Sequence, residues 1–221
     1  MHNTLSAKHI KKSFKGKTIF ENVNLECETG QITGVFGRNG SGKSTLLKIL
    51  FGILKADTVH VTINQQYIAV KDIIPQQLIA YLPQHPFIPK YLKVRDIIPM
   101  YYQGDEQDKL FYAQNIHKIT NTKAGNLSMG ELRYFELLLI SNLNHPFLLL
   151  DEPFSMIEPL YKEHIKEYLL KLKDKKGIVI TDHYYRDVLE VSNNNLLLDS
   201  GFMKKIIAEQ ELIEGGYLPK Q

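Results

Sequence analysis

Gly37-Arg38-Asn39-Gly40-Ser41-Gly42-Lys43-Ser44 is the stretch on which the reading of this chain turns. It matches the phosphate-binding loop pattern, two glycines bracketing four residues with Lys-Ser after the second, and its neighbours are the ones that pattern needs. Before it, Gln31–Phe36 (QITGVF) reads as a strand. After it, residues 43–54 carry apolar side chains at 46, 47, 50, 53 and 54, a helical stripe. Glycines let successive backbone N–H groups curl around a phosphate without Cβ clashes, and the helix N-terminus adds partial positive charge. Lys43 then reaches the β- and γ-phosphates, and Ser44 offers a hydroxyl to Mg²⁺. Gly37, Asn39, Gly40, Ser41, Gly42, Lys43, Ser44 and Thr45 are therefore the expected nucleotide-binding set.

Working outward, Phe147-Leu148-Leu149-Leu150-Asp151-Glu152 is an apolar strand ending in two acids. Such a strand delivers Asp151 to the C-terminal edge of a parallel sheet, where doubly wound folds bind ligands. There Asp151 can hold Mg²⁺ and Glu152 can polarise a water for in-line attack on a γ-phosphate. Two further apolar strands, 177–181 and 195–198, fit a buried parallel sheet. Helices are expected between them at 129–143, 159–173 and 184–191. Residues 8–14 and 18–28 alternate loosely, as antiparallel strands with one wet face do. Segment 85–126, punctuated by Pro86, Pro89 and Pro99, reads as short helical pieces. The expected fold is α/β: a P-loop NTPase (RecA-like) core, residues 1–84 plus 127–221, with N-terminal antiparallel strands and a small inserted helical subdomain at 85–126.

Composition narrows the function classes. A chain of 221 residues with 43% hydrophobic and 23% charged residues suits one globular domain, not a disordered chain. No apolar run approaches the roughly 18 residues a membrane helix needs, and no secretory leader is visible. The single cysteine, Cys27, excludes an internal disulfide framework and fits a reducing cytosol. Only four of the 27 basic residues are Arg, so no arginine-rich nucleic-acid tract exists. Lys8, Lys11, Lys12, Lys15 and Lys17 precede the first acid, Glu21, and read as a solvated strand edge that deters aggregation rather than as a nucleic-acid site.

Two motifs fix the ligand but not the job, and Leu127-Ser128-Met129-Gly130-Glu131 decides between P-loop classes. Taken alone, Ser128 and Glu131 make a capping box at a helix start. The segment also resembles the LSGGQ signature of ATP-binding cassette (ABC) ATPases. Around it, in that family's order, stand Phe14 (adenine-stacking aromatic), Gln84 (Q-loop), Ser155-Met156-Ile157-Glu158 (D-loop) and His183 (switch histidine). The resemblance runs from about residue 10 to 201. The runs Glu152-Pro153-Phe154 and Thr181-Asp182-His183 are most similar to the lipopolysaccharide-export and branched-chain amino-acid subgroup.

The resemblance implies a transport ATPase subunit that uses ATP and Mg²⁺, works as a homodimer or paired cassette, and serves a separate transmembrane permease. It implies cytoplasmic residence, peripheral on the membrane, with neither membrane insertion nor nucleic-acid binding. In that scheme Glu152 is the general base, Gln84 senses Mg²⁺ and the attacking water, and His183 contacts the γ-phosphate. Ser128, Gly130 and Glu131 complete the site of the opposite cassette. A groove at 85–98 receives the membrane subunit, with Phe87, Ile88, Tyr91 and Leu92 as candidate lining. Departures are Phe14 for a usual Tyr, Met129 for a Gly, Tyr134 for an Arg, Glu158 for an Asp, and a short span of 43 residues from Gln84 to Leu127 (127 − 84). The alternatives are a soluble, non-transport ABC ATPase of cluster-assembly or regulatory type, and a P-loop kinase or GTPase, which the signature disfavours.

Overall fold

The computed structural model describes residues 2–214 and Tyr217, so Met1 and the last residues of the expected core lie outside the description. Its strands are β1 (Thr4–Phe14), β2 (Lys17–Glu28), β3 (Ile32–Phe36), β4 (Thr58–Ile63), β5 (Gln66–Tyr67), β6 (Ile79–Leu82), β7 (Phe147–Asp151), β8 (Gly177–Thr181), β9 (Asn194–Asp199) and β10 (Phe202–Ile206). The helices are α1 (Lys43–Phe51), α2 (Val94–Tyr101), α3 (Gly104–Phe111), α4 (Ile116–Ile119), α5 (Met129–Ser141), α6 (Pro159–Leu172), α7 (Tyr185–Val191) and α8 (Glu209–Glu214). The strands form one curled sheet in the order β5-β4-β1-β2-β10-β9-β3-β8-β7-β6. This is the α/β fold that the loop and the apolar strands announce.

Strands β3, β6, β7 and β8 are buried throughout and pair in parallel. Continuous burial follows from helices or sheet covering both faces, and the period-2 geometry of a strand sends alternate side chains to each. Leu148, Leu150, Ile178 and Ile180 join one core with α5 and α6; Phe147, Leu149 and Val179 join another with α1 and the antiparallel strands. Register does the rest: Leu82 pairs with Leu150, and Asp151 with Thr181. Because parallel strands end together, β3, β6, β7 and β8 release the phosphate loop, Gln84, Glu152 and His183 at a single edge.

Several boundaries move for identifiable reasons. Strand β1 starts at Thr4, not Lys8, because a bulge at His9 (φ 55°) breaks its alternation between Ala7 and Ile10. Helix α5 stops at Ser141, where the Asn142 side-chain amide donates to the Leu138 carbonyl at 2.8 Å. Strands β4 and β5, which form a hairpin, and β10, which pairs back on β9, are the ones the sequence reading leaves out.

Segment 85–126 holds α2, α3 and α4, and its two ends are stitched together by Val94 N–H to the Thr122 carbonyl (3.1 Å) and Ala124 N–H to the Leu92 carbonyl (2.8 Å). Of the apolar residues expected to line a docking groove there, Ile88 is buried, and Phe87 and Leu92 are half-buried and packed on the core. Only Tyr91, 73% exposed, faces solvent. Packing of the insert against α5, including the Tyr102 hydroxyl donating to the Leu139 carbonyl, explains the other three.

Leu149 lies at the centre of β7 with no exposed surface. Leu149→Ala should lower unfolding free energy in denaturant titration by about 2–5 kcal/mol, the range for cavity-forming core truncations.

Candidate active site

The phosphate loop is shaped by contacts that only glycine permits. A Cβ at Gly37 would meet the Leu198 carbonyl oxygen at 2.6 Å, and backbone cannot yield. Gly42 adopts φ 106°, and a Cβ there would press on Phe20 and Ile19 at 2.7 and 2.8 Å. Helix α1 begins one residue later with no side-chain cap, so its first N–H groups remain for a ligand. The Ser41 hydroxyl oxygen is buried without a hydrogen-bond partner. Lys43 folds back, its Nζ donating to the Gly37 carbonyl at 2.6 Å and the Arg38 carbonyl at 3.3 Å. Burial pulls the Lys43 ammonium below its ordinary range, opposed by the charges of Glu152, Asp151 and Asp182. A cradle of glycines, an orphaned hydroxyl and a buried cation fit a polyphosphate.

Asp151 is fully buried at the end of β7. Its Oδ1 accepts from the Ser44 hydroxyl at 2.9 Å and its Oδ2 from the Tyr81 hydroxyl at 2.9 Å. Burial and the Asp151 charge both push the Tyr81 phenol up, so it remains a donor. A hydroxyl and a carboxylate side by side suit a hard cation such as Mg²⁺, which takes one or two protein oxygens and completes its shell with phosphate and water. Among the described residues no cluster of three or more His, Cys, Asp or Glu could hold a metal without such help.

Glu152 takes φ 56°, unusual for a residue with a side chain, and is held there by its N–H donating to the Thr181 carbonyl at 2.8 Å. Its carboxylate is gripped from three directions. Oε2 accepts from the Gln84 amide at 3.0 Å and the Ser155 hydroxyl at 3.3 Å; Oε1 lies 2.7 Å from His183 Nε2. Asp182, next to the histidine, accepts from Phe154 N–H (2.7 Å), Ser155 Oγ (3.0 Å) and Tyr184 N–H (3.0 Å), which locks the segment after Glu152 to the one carrying His183. Burial pushes the Asp182 carboxyl up against these bonds.

These groups border a cleft of about 420 Å³ lined by Phe14, Ile19, Asn39, Gly40, Gly42, Lys43, Ser44, Thr45, Glu152 and His183. Phe14 is 41% exposed, with Lys12 Nζ 4.6 Å from its ring centre, so one ring face is backed by a cation and the other is free to stack. A groove of about 740 Å³ over β1, β2 and β9 shares none of these residues, and its Lys8 and Glu26 pair with each other at 3.1 Å. The smaller cleft holds the chemistry. Ser128, Gly130 and Glu131 do not line it. They start α5, where the reciprocal capping box forms: Glu131 N–H donates to Ser128 Oγ at 3.2 Å, and Ser128 N–H to Glu131 Oε2 at 2.8 Å.

The family model described as ABC transporter matches residues 20–155. The chain belongs to that family. The lipopolysaccharide export system ATP-binding protein LptB of Escherichia coli (strain K12) is 30% identical over 213 residues, 90% of this chain and 88% of that protein. LptB of Haemophilus influenzae is 30% identical over 218 residues, covering 92% and 89%. The solved structure of a nucleotide-free ATP-binding cassette from an ABC transporter superposes with a TM-score of 0.84 at 22% identity, covering 98% of this chain and 96% of that one. The chain is thus an ABC ATPase near the lipopolysaccharide-export ATP-binding proteins, with the α/β cassette fold.

Against that family two departures acquire a physical reason. Tyr134, standing for an Arg, is buried with its ring 6.0 Å from Tyr161 and 5.9 Å from His164. Glu158 does not cap its own helix α6; it lies against Gly130, where any side chain would collide with Glu158 and Tyr161. Residues that sequence reasoning misses are Tyr81, Arg133 and, as partners of Glu152 and the histidine segment, Ser155 and Asp182. Only Asp182 and Ser155 carried a signal, their place inside quoted motifs.

Lys43→Ala removes the buried cation from the cradle. Calorimetry should find ATP binding weakened at least about 100-fold, the scale of about 3 kcal/mol for a charge-assisted contact; unchanged affinity would contradict the placement of phosphates in this loop.

Proposed function

We propose that this cassette is the ATP-hydrolysing subunit of a transporter whose membrane-spanning part is a separate chain, and that it works by ATP-dependent pairing with a second cassette. The observation that carries the reading is a division of labour. The chain's own cleft has a phosphate loop and a gripped carboxylate but none of the signature residues, which stand at the N-terminus of α5 outside it. A phosphate loop wraps a triphosphate on one side. A second helix N-terminus, offering the Ser128 hydroxyl and Gly130 N–H, suits the γ-phosphate of an opposite cassette.

Within one site Phe14 and Ile19 hold the base, the loop N–H groups and Lys43 hold the β- and γ-phosphates, and Ser44 with Asp151 holds Mg²⁺. The ion, when bound, neutralises charge developing on the phosphate oxygens. Glu152 accepts the proton of the attacking water at its carboxylate, while Gln84 and His183 keep that carboxylate aimed and contact water and γ-phosphate respectively. No helix among the described residues is long and apolar enough to cross a membrane, which supports a peripheral seat beneath the membrane subunit. Segment 85–126, as a helical subdomain, presents Tyr91 to that subunit.

Glu152→Gln keeps the shape of the site but not the base. ATP affinity should stay within about threefold while turnover falls by about 10²–10⁴, and light scattering should show an ATP-stabilised dimer. Turnover at the unaltered rate would remove Glu152 from this role; a monomer in saturating ATP would remove the pairing.

A further inference from the structure

Two ionic side chains on α5 lie outside the cleft yet are more buried than almost any other charge in the chain. Arg133 is 3% exposed and Glu136 not at all. Burying an ion pair costs more than it returns unless further hydrogen bonds satisfy both partners. Here those bonds go to specific places. The Arg133 guanidinium donates from Nη1 to the Pro83 carbonyl at 2.6 Å, and from Nη2 to the Asp151 and Glu152 carbonyls at 2.6 and 3.3 Å. Glu136 Oε1 accepts from Phe87 N–H at 2.8 Å and Ile88 N–H at 3.4 Å, while its Oε2 makes no hydrogen bond and has only the charge of Arg133, with Nη1 at 3.5 Å.

The targets are not scattered. Pro83 directly precedes Gln84, Phe87 and Ile88 follow it, and Asp151 and Glu152 are the two acids of the site. The pair therefore clamps the chain on both sides of Gln84 and ties that clamp to the backbone of Glu152. Across this clamp, Gln84 meets the Glu152 carboxylate at 3.0 Å. The Glu152 backbone needs such support, since φ 56° is costly for a non-glycine residue.

We propose that Arg133 and Glu136 are positioning residues for ATP hydrolysis, holding the Gln84 segment and the Glu152 backbone at one fixed separation so that the carboxylate keeps its aim into the cleft. The proposal rests on Glu152 being the base. Removing either charge leaves the other buried, and the two segments then drift independently; misplacement by about 1 Å costs on the order of 10²-fold in rate while leaving phosphate binding to the loop untouched. Burial works on both partners, pushing the Glu136 carboxyl up and the Arg133 guanidinium down, and each opposes the change in the other.

Steady-state ATPase rates, ATP affinity by calorimetry and thermal midpoints on the full chain separate positioning from plain stability. Glu136→Gln retains an oxygen for the Phe87 and Ile88 N–H groups and replaces the carboxylate oxygen facing Arg133 with an uncharged amide NH2. It should fold, bind ATP within about twofold of the unaltered chain, and lose about 10-fold in kcat with KM unchanged. Arg133→Met should lose about 10- to 100-fold, and the double variant no more than Arg133→Met alone, because the two act as one unit. A folded Glu136→Gln protein with full kcat, a loss carried by KM, or losses that multiply in the double variant would each overturn the proposal. If Arg133→Met does not fold, Glu136→Gln decides. Glu152→Gln run alongside keeps the readings apart: if it retains turnover the base assignment fails, whereas if it alone abolishes turnover only the positioning role fails.

Discussion

Charge is concentrated at one sheet edge, and each member of the set is held there by polar partners that the fold brings to it. Lys43, Asp151, Glu152 and Asp182 are all buried where β3, β7 and β8 end. An isolated ion in that position would pay several kcal/mol in lost hydration, and neutralise instead. Lys43 is held by two carbonyls, Asp151 by three hydroxyls, Glu152 by an amide, a hydroxyl and an imidazole, and Asp182 by two backbone N–H groups and a hydroxyl. The parallel sheet exists to bring these partners to one edge, and its buried apolar strands are what hold that edge in place. Functionally, the same arrangement leaves a cation and an uncapped helix end turned toward a cleft that fits a triphosphate.

On the proposed reading, that edge is half of a working site. Its other half is a capped helix start that this chain points elsewhere. The capping box also bears on how Ser128 can be read. Ser128 is a structural cap and, in the pairing scheme, a phosphate donor; the two roles are compatible because the cap uses the hydroxyl oxygen as acceptor and leaves its hydrogen free. Glu158 against Gly130 joins the segment after Glu152 to the same helix start, so the two halves of the scheme touch within one chain.

Much of the site was legible because fixed spacing carries it. The eight-residue loop needs glycine where backbone and side chains crowd, and two acids at the end of an apolar run can emerge only at the sheet edge. Gln84 and His183 were placed by family order, and the register of β6 and β8 accounts for their arrival beside Glu152. What stayed hidden has local causes. The β4–β5 hairpin turns on Asn64 and Gln65, both at positive φ, and Gln in place of Gly erases the usual turn signal. The β9–β10 turn, Ser200-Gly201, does carry a signal of that kind, with both residues at positive φ. Arg133 and Glu136 belong to no motif, and their role follows from packing: α5 is covered on nearly every side beyond its first turn, so both charges are internal. Phe87, Ile88 and Leu92 have the composition of a docking groove, yet Ile88 is buried in the core and Phe87 and Leu92 are half-buried against it; composition alone cannot separate an apolar surface from an apolar interior.

The central claim is that one chain supplies half of each hydrolytic site, and turnover measured against protein concentration tests it without any substitution. The account predicts that ATP hydrolysis per chain rises with concentration and levels off as paired cassettes form, with half-maximal activity at the concentration where ATP-dependent dimers appear by light scattering. A rate per chain that stays constant down to concentrations where the protein is monomeric would contradict it.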